Sequence, residues 1–225
     1  MSDTDSFINE VNEEVRRDRL FGLLKKYGWI GVLAVILIVG GAAWNEYRKA
    51  SIRAEAEALG DGMLAALSDS DAAERLDALE QLAPESPAAR AVVAMLTAST
   101  AQENEKTAQA VAELTAIAVD GDVPEVYRQI AGFKALTLQG DTLDAETRKQ
   151  QFEALANAGS PLRLLALEQI ALIDVAEGAT EAAIERYQTI LQDAAVTSDL
   201  QQRALQVIVA LGGTPDLENL PAVGN

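Results

Sequence analysis

The chain has no cysteine and no histidine in its 225 residues. The first absence excludes disulfides and thiolate chemistry, and it suits an oxidising compartment without requiring one. The second removes the commonest general base, the usual zinc ligand and any Ser-His-Asp arrangement. Aromatic residues make up only 4%, and no stretch offers the aromatic lining of a sugar or cofactor pocket. Gly-rich phosphate loops of either common pattern are also missing. Carboxylates remain for acid-base work, but they fall mostly at positions that read as exposed helix faces. Asp69, Asp71 and Glu74 come nearest to a calcium cluster, yet the glycine and the twelve-residue spacing of such a loop are missing. A Ser-Asp turn capping a helix from Ala72 accounts for the same residues. No catalytic, cofactor-binding or metal-binding residue is therefore assigned, and the chain is not expected to be an enzyme.

Positive charge is scarce as well, with 18 Lys and Arg against 35 Asp and Glu, a formal net charge of −17. Residues 1 to 50 hold seven acids and seven bases, so the whole excess belongs to residues 51 to 225, with 28 acids against 11 bases. Such a surface is repelled by nucleic acid and by anionic headgroups. Its expected partners are proteins.

What the chain does have is one long apolar run. In KKYGWIGVLAVILIVGGAAWNEYRK, residues 25 to 49, nineteen uncharged residues separate Lys26 from Glu46. At ~1.5 Å rise they make a rod of about 28 Å, close to the ~30 Å hydrocarbon thickness of a bilayer. Ile30 to Val39 is apolar or Gly all the way round, whereas a core helix keeps a polar face. Tyr27 and Trp29 at one end, Trp44 and Tyr47 at the other, stand where amphipathic rings settle at the two headgroup levels. Gly41-Ala42-Ala43 resembles a signal cleavage site, but the segment 1–26 ahead of the run is long for a signal start. It also carries its own amphipathic helical pattern in Phe7, Ile8, Val11 and Val15. A transmembrane helix over residues 27–45 is the expected reading.

Cations near its ends set the orientation. Arg16, Arg17, Arg19, Lys25 and Lys26 precede the span; Arg48, Lys49 and Arg53 follow it. The larger count places residues 1–26 in the cytoplasm and residue 46 onward outside it. A topology signal alone accounts for Arg16, Arg17 and Arg19, which would also suit contact with a cytoplasmic partner or anionic lipid. The span has no GxxxG pattern and no ionisable residue, so neither a tight helix dimer nor an ion pathway is indicated.

The remainder reads as helix throughout, rich in Ala, Leu, Glu and Gln with no strand-like alternation. Pro87, Pro124 and Pro161 follow one another at 37-residue spacing, each expected to open a helix, with Ser86 and Ser160 as N-caps. In windows of that length Val93, Ile130, Leu167 and Ala204 align, and three places on so do Leu96, Phe133, Ile170 and Val207. Positions three apart share a helix face, so one helix recurs with one packing side. Breakers follow at 102–104, 140–141, 177–178 and 212–213, and second helices are expected around Ala108 to Val119, Glu146 to Asn157 and Glu181 to Asp193. A leading pair is expected from Ala50 to Leu67, continuing the membrane helix, and from Ala73 to Leu82, with a terminal helix from Leu200 to Leu211.

Paired helices at such a period belong to α-solenoids. In GATEAAIERYQTIL, Gly178 ends a helix, Ala183 is small where two helices approach, and Tyr187 and Ile190 fill the gap; this resembles the second helix of a tetratricopeptide repeat (TPR). The other windows lack the repeat's early aromatic and its closing proline. The fold class is therefore all-α, a single transmembrane helix followed by a TPR-like solenoid over residues 46–213, with a loose tail at 214–225; an irregular helical bundle is the alternative. Arg128, Lys134, Arg163 and Gln169 on the first helices are candidates for a binding groove, although an ordinary solvated face is the simpler account of them.

The segment DSFINEVNEEVRRDRLFGLLKKYGW, followed by the span and the helical repeats, resembles the YfgM-like family of bacterial single-span envelope proteins, ancillary subunits of the SecYEG translocon. The most specific residues are EVNEEVRRDRL with KKYG before the membrane. The resemblance implies an inner-membrane protein with a cytoplasmic N-terminus and a periplasmic TPR-like domain. It also implies association with the translocon and with a membrane-anchored periplasmic chaperone of the prolyl-isomerase type, and no catalytic residues. The expected function is a non-catalytic protein-protein adaptor. The alternative is an accessory or assembly subunit of another inner-membrane complex, respiratory or outer-membrane-assembling.

Overall fold

The computed structural model describes the backbone of residues 3–140 and 142–217, with the side chains of 25–27, 29–140 and 142–217. Phe7, Ile8, Val11, Val15, Arg16, Arg17 and Arg19 lie outside the described side chains, and most of the expected tail lies outside the described residues. Among those described, every regular element is a helix: α1 (Asp3–Leu67), α2 (Ala72–Glu80), α3 (Pro87–Glu103), α4 (Thr107–Val119), α5 (Glu125–Leu138), α6 (Ala145–Leu155), α7 (Arg163–Ala176), α8 (Thr180–Leu191) and α9 (Ser198–Ala210). The chain divides into two compact units, Met1–Gly60 and Asp61–Asn225.

The first unit is helix α1 as far as Gly60. No proline interrupts it, and beyond the apolar run the residues are mostly Ala, Glu, Leu and Arg, which favour a helix intrinsically. The expected continuation from the apolar run to Leu67 is present. The amphipathic N-terminal stretch is part of the same helix rather than a separate one.

The second unit begins with the last turns of α1, which stop where Ser68 folds back on Ala65 O through both its amide and its hydroxyl. Asp69 then accepts the amide of Asp71, whose own carboxylate accepts the amides of Ala73 and Glu74 and caps α2. The SDSD segment is thus a helix-capping turn, and among the described residues no group of acids is arranged to hold a metal ion.

From α2 onward each helix packs on its neighbours in sequence, and α3 also meets α5. Three apolar clusters follow in chain order. Leu76, Ala91, Ala98, Leu114, Ile117 and Ala131 join α2 to α5. Leu136, Phe152, Ala166, Ile170 and Ile173 join α5 to α7, with Phe133 edge-on to Phe152 at 5.6 Å between centroids. Leu164, Ala171, Tyr187, Ile190, Leu200 and Ile208 join α7 to α9. Buried alanines recur in all three, which lets these helix axes approach closely. Ala183, Tyr187 and Ile190 are each fully buried, as the spacing in GATEAAIERYQTIL requires.

The proline expectations are met at one position of three. Pro87 opens α3 behind Ser86, whose hydroxyl accepts the amide of Ala89. Pro124 is the residue before α5 rather than its first, because its extended backbone leaves the helix to begin at Glu125. Pro161 lies in a turn, and Ser160 is not the cap of α7: its hydroxyl accepts the amide of Leu162, and the helix starts only at Arg163.

Candidate functional site

Two features stand apart from the packed helices: the bare apolar surface of α1, and the charged side chains between the later helices. In α1 the part from Trp29 onward contains a window of mean hydropathy 1.6 that is long and apolar enough to cross a membrane. Among the described residues none of that window is buried. Ile30, Val32, Leu33, Val35, Ile36, Leu37, Ile38 and Val39 are all exposed, on every side of the helix. Burying one such side chain is worth about 1.5–3 kcal/mol, so water is an unfavourable surrounding for this surface. Tyr27 and Tyr47 are separated by ~30 Å along an ideal helix. Lys26 Nζ sits 5.5 Å from the Tyr27 ring centroid, and Trp44 lies 6.4 Å from Tyr47. Lys25 and Lys26 are exposed at the N-terminal end. The described anchor residues therefore stand at the two ends of the apolar run.

The four groove candidates separate into two kinds. The Arg128 guanidinium donates to the carbonyls of Gly121 and Val123, clamping the turn between α4 and α5. Arg163 pairs with Asp193 at 2.7 Å, joining the start of α7 to the end of α8. Both spend their charge on the fold. Lys134, exposed on α5, and Gln169, half-buried on α7, make no side-chain hydrogen bond or ion pair among the described residues. They remain free to meet a partner.

Sequence reasoning missed the strongest polar group. Asp174 on α7 is 2% exposed and accepts Lys149 Nζ from α6 at 2.6 Å and Arg186 Nε from α8 at 2.7 Å. Lys149 reaches Glu177 as well, at 2.5 Å. Burial alone would raise the Asp174 carboxyl pKa, but the two cations outweigh it and hold it below the usual carboxylate range. The Lys149 ammonium is raised by the two carboxylates it bonds. From α9 to α7, Arg203 grips Glu168 with two parallel bonds of 2.8 and 2.9 Å. Tyr187 is fully buried and its hydroxyl has no partner among the described residues; burial, then the Glu168 charge, pushes its pKa up to about 12. The ionised groups, unlike the Tyr187 hydroxyl, are held in paired contacts between helices. Their chemistry is that of clamps.

One signal for them was present. Arg75 bonds Glu103 across α2 and α3, and Lys149 bonds Glu177 from α6 to the end of α7, with the same sequence separation inside each pair. The second pair also repeats the first two proline-spacing periods further along the chain. A search for a charge pair of one fixed separation that recurs after two repeat lengths finds both.

Compared with models of protein families, with curated proteins and with solved structures, the chain matches none.

Proposed function

We propose that this chain is a non-catalytic adaptor held in a membrane by one helix, with residues 61–217 forming a TPR-like stack that binds other proteins. The uncovered apolar surface of α1 between aromatic ends carries the reading, because a lipid surrounding satisfies it without any further partner. The stack is supported by the neighbour-on-neighbour packing of α2 to α9 and by the recurrence of one ion pair after two repeat lengths. Stacks of helix pairs present extended surfaces to partner segments, and the anchor keeps that surface beside the bilayer.

Within that class, the N-terminal segment and layout similar to the YfgM-like family favour an ancillary subunit of the SecYEG translocon in the bacterial inner membrane. Residues 1–26 would face the cytoplasm, and the helical domain would face the periplasm and a membrane-anchored chaperone. Crosslinkers placed at Arg17 and at Lys134 in the full-length protein, followed by mild-detergent capture, test this. Translocon subunits from the first position and a periplasmic chaperone from the second are expected. If both positions capture the subunits of one different complex, the translocon assignment falls and the adaptor becomes an accessory subunit of that complex.

A further inference from the structure

Between the end of α2, the side of α3 and the start of α4 lies an open groove of about 600 Å³. Its floor is apolar: Leu79, Leu82, Val93 and Ala94. Two carboxylates stand on its walls. Glu80 accepts one hydrogen bond from Gln109 at 2.6 Å. Glu113, half-buried, has no hydrogen-bond or ion-pair partner among the described residues. The one cation at the rim, Arg90, is turned to Asp120 and to the Glu85 carbonyl.

Thr97 also lines this groove, and it is 3% exposed. A helical threonine ordinarily satisfies its hydroxyl on the carbonyl four residues back, as Thr137 and Thr189 do here on Phe133 and Glu185. Thr97 makes no such bond, nor any other side-chain bond among the described residues. Its Oγ1 is not among the buried unpartnered polar atoms, which among the described residues are Arg148 Nε and the Tyr187 hydroxyl, so it stays reachable from the groove. The surrounding field has one sign. From Asp61 to Asp122 there are twelve acids against three bases, and two of the bases, Arg75 and Arg90, are already paired.

We propose that this groove is the docking site for a short segment of a partner protein that carries apolar side chains beside Lys or Arg. The apolar residues fill the floor over Val93 and Ala94, the cation meets Glu113 and Glu80, and a polar group of the segment satisfies Thr97. The open shape suits a polypeptide laid across it rather than an enclosed small molecule. The inference rests on the adaptor reading and names one of its contact surfaces and the chemistry that surface selects.

The test uses the full-length protein in detergent and a short fluorescent peptide of alternating Leu and Lys, with its Leu/Glu counterpart, followed by anisotropy. The Leu/Lys peptide is expected to bind and the Leu/Glu peptide not to. The E80Q/E113Q variant should weaken binding at least tenfold, while E181Q/E185Q on α8, which removes the same charge elsewhere, should change it less than twofold. Ala94→Lys, which fills the floor, should abolish binding with the helical circular dichroism unchanged. Equal losses in the two charge variants would mean that bulk charge alone attracts the peptide, and would overturn the site; so would absence of binding or full displacement by spermine. Capture of partners through Lys134 alongside a failed peptide test would sink this groove and leave the adaptor reading intact.

Discussion

Asp174 shows what one buried charge does in this chain. Its carboxylate bridges α6 and α8 across α7, and its two cations are only partly solvated, with side-chain exposures of 18% for Lys149 and 36% for Arg186. Asp174→Asn should cost on the order of 2 kcal/mol at neutral pH, less than a fully buried pair because both cations retain some water. Folding lowers the carboxyl pKa, so its stabilisation is complete above the unfolded value of about 3.9 and is lost as pH falls through the folded value. The gap in thermal midpoint between the native sequence and D174N should therefore be full at pH 7 and close below about pH 4. A gap independent of pH would contradict the ionised bridge. Tyr187 makes the opposite case. Its hydroxyl is buried without a partner among the described residues, so Tyr187→Phe should leave stability unchanged or raise it by up to about 1 kcal/mol, read from chemical denaturation. A loss larger than that would reveal a bond the hydroxyl makes in solution. Neither role was legible beforehand, because Lys149, Asp174 and Arg186 stand far apart in the chain at unequal spacings that no periodicity links.

At the scale of the helix, sequence and structure agree wherever the signal is a local one. The pattern of apolar residues three and four apart placed α4, α6, α8 and α9 close to their observed ends. Asp71 and Ser86 cap helices as their chemistry suggests, and Ser86→Ala should cost about 1 kcal/mol in thermal or denaturant unfolding. Gly178, after α7, has φ +76°, where a side chain is strained. Gly178→Ala should destabilise by about 1 kcal/mol, whereas Gly140→Ala, at a backbone conformation outside that region, should be milder. What local reading misplaced was the helix start after Pro161, because a proline fits both a first helical turn and a preceding turn. The side chain of Ser160 decides between them only once its hydrogen bond to Leu162 is known. The same limit applies to Arg128 and Arg163, which look alike in sequence to solvated cations but are committed to a loop and an ion pair.

At the scale of the molecule, the absence of cysteine makes topology measurable without background. In intact cells a membrane-impermeant maleimide should label Lys134→Cys and leave Ser6→Cys unlabelled; the reverse pattern would invert the orientation. Replacing Arg16, Arg17 and Arg19 by Gln changes the cation count from five against three to two against three, and mixed labelling is expected. The three apolar clusters have a further consequence. Because the helices pack mainly on those adjacent in the chain, their contacts join segments that are made close together in time, as in other helical stacks. A chain built this way need not wait for its C-terminus: α2 to α5 can close their cluster while α8 and α9 are still being delivered. Residues 61 onward would then reach their final form vectorially, at the pace of their own arrival, with little apolar surface held open on the way.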